Sequence, residues 1–98
     1  MKFALLCAAA LLAAPAMADE VIASNGADSV RLSDSQCTSD KVLEQATPPL
    51  RETLRDAVAT ISGQSFKACW IVEGNMAHLV YEDGDHGLVP LTEFRKAG

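Results

Sequence analysis

The densest set of side chains able to do chemistry is Glu82-Asp83-Gly84-Asp85-His86-Gly87, followed at a distance by Glu93. Carboxylates and a glycine in a short polar run are the raw material of a calcium loop, so the EF-hand pattern is the first to test. When Gly87 takes loop position 6 and Glu93 position 12, positions 3 and 5 become Gly84 and His86 and two ligands are lost. When Asp83 and Asp85 take positions 1 and 3, position 6 is Leu88 and position 12 is Phe94. Neither register works. A divalent site of another kind on Asp83, Asp85 and His86 is the alternative to a solvated loop. His78 and His86 add two imidazoles with no third histidine in the chain, a spacing unspecific for a transition metal. Serines and aspartates are plentiful but no nucleophile-elbow motif frames them. Glu73 and Glu82 fall at opposite ends of an expected hairpin, too far apart for paired-carboxylate chemistry. The chain therefore reads as a non-enzyme without a cofactor.

Cysteine usage and the first residues say where such a loop would work. Lys2 is a positive n-region, Phe3 to Ala14 an apolar h-region, and Ala16-Met17-Ala18 a small-x-small cleavage site, so residues 1–18 are expected to be a secretory signal peptide. Cys7 leaves with it. Leu6 before Cys7 is too large for a lipoprotein acceptor site, and Cys7 is one more hydrophobe of the h-region. Cys37 and Cys69 remain, an even pair entering an oxidising compartment, and are expected to form a disulfide. The expected location is periplasmic or secreted, with no membrane insertion after cleavage.

Residues 19–98 form a single expected domain with a small core. The whole chain has 8 Lys and Arg against 13 Asp and Glu, formally −5, and loss of Lys2 takes this to −6. An acidic chain whose basic residues are dispersed argues against nucleic acid or an anionic membrane as the partner; the acidity serves solubility, and its sharper reading is attraction to a cationic partner.

The elements that must hold the loop are read from periodicity. Asp19 to Asn25 is expected to be a mobile arm or edge extension, and Asp28 to Ser33 alternates as a strand with Val30 and Leu32 inward. Ser35 to Asp40 is turn-rich, and Val42, Leu43 and Ala46 suit a turn or two of helix. Thr47-Pro48 starts a longer helix stopped at Gly63, with Leu50, Leu54, Ala57, Val58 and Ile61 as one apolar stripe. Ser65 to Glu82 is a hairpin turning at Gly74-Asn75, a register that faces Cys69 with Val80 and Ile71 with His78. One hairpin face carries Ala68, Trp70, Val72, Ala77, Leu79 and Tyr81 and should receive the helix; the other, with Cys69, Ile71, His78 and Val80, is mixed. Pro90 restricts Leu88 to Leu91 to an edge strand, and Phe94 tucks inward from a final turn.

Ala68-Cys69-Trp70, Gly74, Leu79-Val80-Tyr81-Glu82-Asp83-Gly84-Asp85, Gly87, Pro90-Leu91 and Phe94 together resemble small exported proteins of unknown function from proteobacteria and their phages. The resemblance spans most of Ser29 to Phe94. It implies a secreted domain with one disulfide and brings no activity.

The expected fold class is α+β: a small single domain of β-α-β-β order, its antiparallel hairpin or meander packed on one amphipathic helix, with one disulfide. The expected function is a monomeric, exported, non-catalytic module that binds a protein or a cell-envelope component. Its contact residues are Ile71, Met76, His78, Glu82, Asp83, Asp85 and His86; the alternative is a small metal-binding protein using the loop at residues 82–87.

Overall fold

Short turns, not a long helix, organise the chain. The computed structural model describes residues 20–97, and the expected signal peptide lies outside the described residues. Among these, seven strands form one antiparallel sheet: β1 (Val21–Asn25), β2 (Asp28–Gln36), β3 (Arg55–Ile61), β4 (Gln64–Glu73), β5 (Met76–Tyr81), β6 (His86–Pro90) and β7 (Arg95–Lys96). Their order is β6-β5-β4-β3-β2-β1-β7. Two short helices, α1 (Asp40–Gln45) and α2 (Pro48–Thr53), interrupt the meander between β2 and β3.

The α+β expectation of a β-α-β-β domain on one amphipathic helix is overturned. Helix α2 does start at Pro48, but it ends at Thr53, and Leu54 has extended backbone with its N–H bonded to the Leu50 carbonyl. From Arg55 the chain is β3. The apolar stripe expected on one helix face is divided between a six-residue helix and a strand. In β3, Ala57 and Ala59 point to one side and are buried, whereas Val58 points to the other and is exposed. Pairing decided the outcome: β3 lies between β2 and β4, with Ala57 opposite both Leu32 and Ala68, so its backbone groups are satisfied on both sides. Gly63, expected to stop a helix, instead forms with Ser62 a two-residue hairpin turn in which both residues have positive φ, 53° and 81°, the signature of a type I′ turn. Asp19 to Asn25, expected to be an arm or edge extension, contains β1, which pairs with both β2 and β7.

The β4–β5 hairpin has the expected register, with Cys69 opposite Val80 and Ile71 opposite His78. Leu91–Glu93 is a single 3-10 turn, and Phe94 packs inward as expected.

The sheet must curl. β6 and β7 are its two ends, and a flat sheet of seven strands would hold them about 29 Å apart. Leu91–Phe94, the four residues joining them, span at most about 18 Å when fully extended. The concave face collects Leu32, Ala57, Ala68, Ala77 and Leu79 as its buried core, with Val21, Val30, Trp70, Tyr81, Val89, Leu91 and Phe94 packed around it. The indole N–H of Trp70 donates to the Ser33 carbonyl at 2.9 Å, so the ring is placed in the core without an orphaned donor.

The convex face has its own smaller core of Cys37, Val42, Leu54 and Cys69, joined by Leu43, Ala46, Ile71 and Val80. The helices thus cover the mixed hairpin face, not the nearly all-apolar one assigned to them from sequence. Cys37 and Cys69 are disulfide-bonded with Cα atoms 5.6 Å apart. Around this bond the cover is tied down by polar contacts. Asp56 accepts from the Thr38 N–H and hydroxyl at 2.8 and 3.0 Å. Ser39 caps α1 by accepting from the Val42 N–H. Arg51 Nε on α2 donates to the Leu43 and Ala46 carbonyls at the end of α1, satisfying groups that a helix terminus leaves open.

The disulfide joins residues 32 apart in sequence, and a cross-link of that span is worth on the order of 3.5 kcal/mol in the chain-entropy model. A Cys37→Ala/Cys69→Ala variant is expected to lose about 3 kcal/mol of unfolding free energy, measured by urea denaturation. A loss below about 1 kcal/mol would show that packing alone holds the cover.

Candidate functional site

Strand β4 outruns β5. Its ladder with β5 ends at Ala68 opposite Tyr81, whereas its ladder with β3 continues to Gln64. Residues Gln64 to Lys67 therefore have a strand neighbour on one side only, and the β5–β6 loop turns back near them instead of pairing. Between the two lies a notch of about 470 Å³.

Its floor is apolar: Ile61, Phe66 and the ring of Tyr81. Ile61 and Phe66 are each 42 % exposed, large hydrophobic side chains left open where β5 has stopped. Its wall is acidic, made by Glu82, Asp83 and Asp85, and Lys67 adds one positive charge to the lining. The Tyr81 ring reaches over Gly87: a Cβ at that position would stand 3.5 Å from the ring, in ordinary contact. Burial, then the charges of Asp85 and Asp83, push the Tyr81 phenol above its usual 10.0, since each disfavours the phenolate.

The acidic residues are held by different means. Asp83 Oδ1 accepts from the Asp85 N–H at 2.9 Å, an Asx turn that shapes the loop. Glu82 Oε2 accepts from the Ser39 hydroxyl at 2.6 Å, which braces the wall of the notch against the start of α1.

The contact residues expected from sequence divide between two faces. Glu82, Asp83 and Asp85 line the notch. Ile71 is packed into the convex core, and Met76, half-buried, lies opposite Pro90 at the far end of the hairpin. His78 and His86 meet on the convex face, with His78 Nε2 2.7 Å from His86 Nδ1. Glu73 Oε1 approaches His78 Nδ1 at 2.5 Å. Of the residues of the loop alternative, Asp83 and Asp85 line the notch and His86 borders a separate 110 Å³ groove against Leu50, Leu54 and Val80. Cys37, Asp56 and Cys69 bring ligand-type atoms within 4.8 Å of one another, but the two sulfurs are bonded together and Asp56 is occupied by Thr38.

The notch floor is not visible in the sequence, where Tyr81 is expected in a core beneath a helix and Ile61 on that helix. The signal that could have exposed them is the Ser62-Gly63 pair, which as a hairpin turn places Ile61 and Phe66 at a sheet end.

Comparison of the chain with protein-family models, with curated proteins and with solved structures found no match.

Tyr81 is the chain's one tyrosine, so alkaline absorbance titration reads this phenol alone. Its midpoint is expected above 10.0, and Asp83→Asn/Asp85→Asn is expected to lower it without abolishing the part due to burial. An unfolded phenol ionises near pH ~10, so the stability tied to neutral Tyr81 is intact below that pH and is lost as pH rises through the higher folded value. A midpoint at or below 10.0 would mean the ring is not placed as described.

Proposed function

We propose that this protein is an exported, non-catalytic binding module whose notch receives a basic group of a partner protein or cell-envelope component. The observation that carries the reading is one arrangement: three carboxylates, Glu82, Asp83 and Asp85, beside an open apolar floor of Ile61, Phe66 and Tyr81. A lysine or arginine side chain has the matching two-part chemistry. Its methylene stem lies on apolar and aromatic surface while its cationic head stays near carboxylates and ring faces. The acidic balance of the chain, formally −5 over all residues, steers such a partner toward the surface from a distance.

Export fits the disulfide between Cys37 and Cys69, which persists in oxidising compartments, and it fits the n-region, h-region and cleavage pattern of residues 1–18. It also agrees with the resemblance to small exported proteins. Reading the notch as a binding surface and not an active site rests on its side chains. It offers carboxylates and a phenol whose raised pKa keeps it protonated, a set suited to holding a cation.

The test is a pull-down from cell-envelope extract with the disulfide-bonded protein as bait, comparing wild type with Asp83→Asn/Asp85→Asn. Asparagine keeps the side-chain oxygen that shapes the loop, so the melting temperature is expected to stay within about 2 °C. The retained partner is expected to fall about tenfold, and to elute with salt from the wild-type bait. The same partners in the same amounts on both baits would refute the proposal.

A further inference from the structure

Strand β4 leaves part of its edge open beside the notch. The β3–β4 turn at Ser62-Gly63 is a two-residue hairpin, so the residues flanking it, Ile61 and Gln64, face each other as a hydrogen-bonded pair. In an antiparallel ladder such pairs alternate with unbonded ones. Gln64 and Phe66 therefore turn their backbone groups to β3, whereas Ser65, opposite Thr60, turns its N–H and C=O the other way, toward the notch that it lines.

Strand β5 does not reach them. Continued in its register, β5 would set Gly84 against Ser65, but the Gly84 N–H donates back to the Tyr81 carbonyl at 3.0 Å and the Asp85 carbonyl accepts from the Tyr81 N–H at 2.8 Å. Gly84 makes this turn at φ 91°. A Cβ on it would stand 3.8 Å from Gln45 at the end of α1, so the loop bends toward the cover and not along β4. Gln64, Ser65, Phe66 and Lys67 are all exposed, and a strand edge open to water is a template for a further strand.

We propose that an extended, basic segment of a partner protein adds to β4 at Gln64–Lys67 as a short extra strand, bonded through its backbone to Ser65. The inference rests on reading the notch as a site for basic groups, and it names the form the partner takes there. Four residues of strand span roughly 13 Å, so backbone pairing alone is a small contact and side chains must add to it. Those of an added strand alternate between two faces. One face meets the apolar floor of Ile61, Phe66 and Tyr81, and the lining around it holds three carboxylates, Glu82, Asp83 and Asp85, against the single lysine Lys67. That balance selects a basic segment. A second copy of this chain is the poorer occupant, because pairing the same edge of two copies would bring two acidic walls together.

The probe is a terminally blocked peptide of six residues alternating lysine and valine, titrated into the disulfide-bonded protein and followed by calorimetry and by exchange of the Ser65 amide hydrogen in nuclear magnetic resonance spectra. Binding is expected to slow that exchange about tenfold or more, because the N–H gains a partner. Ser65→Pro removes the donor while sparing the bonds to β3, a change an edge strand tolerates, and is expected to weaken binding about tenfold. N-methylating the peptide at alternate residues makes the same test without altering the protein. Of the two alternating sets, one is expected to lose binding and the other to keep it, since a slip of one residue would exchange the lysine and valine faces. Ser65 exchange unchanged at saturation, undiminished binding by folded Ser65→Pro, an equal effect of both methylated sets, or no binding to the wild-type protein would each overturn the proposal. Binding that depends on Asp83 and Asp85 without protecting Ser65 would keep the notch as a cation site and remove the added strand. Protection of Ser65 with equal affinity in Asp83→Asn/Asp85→Asn would keep the strand and refute the preference for basic groups.

Discussion

The space on the concave face of the sheet is the constraint from which the rest of the structure follows. A sheet of seven strands joined end to end by four residues must bend sharply, and the side chains inside the bend converge. Alanine occupies the inward positions where they would collide: Ala57, Ala59, Ala68 and Ala77 are all almost wholly buried. Larger residues stand beside them in the same rows. Leu32, Ala57, Ala68 and Tyr81 are successive partners across four strands, and Ala77 has the half-buried Val89 as its partner on β6. The large residues reach over the small ones, filling the interior at the density a core requires.

The convex face meets a different demand. Curling exposes the backs of β4 and β5, where Cys69, Ile71 and Val80 would meet water, and the β2–β3 crossover is spent on covering them. The disulfide pins that crossover at Cys37, Asp56 holds Thr38, and Ser39 links helix and notch through one hydroxyl that accepts from Val42 and donates to Glu82. The acidic wall of the notch is thereby braced by the cover on the other side of the sheet. The notch itself exists because β5 stops before β4 does, so its floor and its wall come from a mismatch in strand length.

What could be read from the sequence was what local chemistry decides. Gly74-Asn75 sets the β4–β5 register and Pro90 confines β6 to an edge, each by backbone preferences of a few residues. The 48–61 segment was not legible because Leu50, Leu54, Ala57, Val58 and Ile61 satisfy a helical period and alanine is a strong helix former. What overrode that preference lies far away in sequence: Leu32 on one side of Ala57 and Ala68 on the other. The same nonlocality hid half of the candidate site. The acidic loop was visible as a run of residues, but the apolar floor it faces is built from β3 and β4 ends that only the fold places beside it. The meeting of His78 and His86 depended on β5–β6 pairing in the same way.

The curl of the sheet depends on the alanine-lined concavity, and the most direct measurement of that dependence is the unfolding free energy of Ala68→Leu set against Val58→Leu. Ala68 lies in the concave core and Val58 is 40 % exposed on the convex face. Added volume inside the curl should cost about 2 kcal/mol or more, whereas the convex change should stay within about 0.5 kcal/mol. Equal tolerance of the two substitutions would contradict the account, because a sheet that accepts leucine at position 68 is not closed around its alanines.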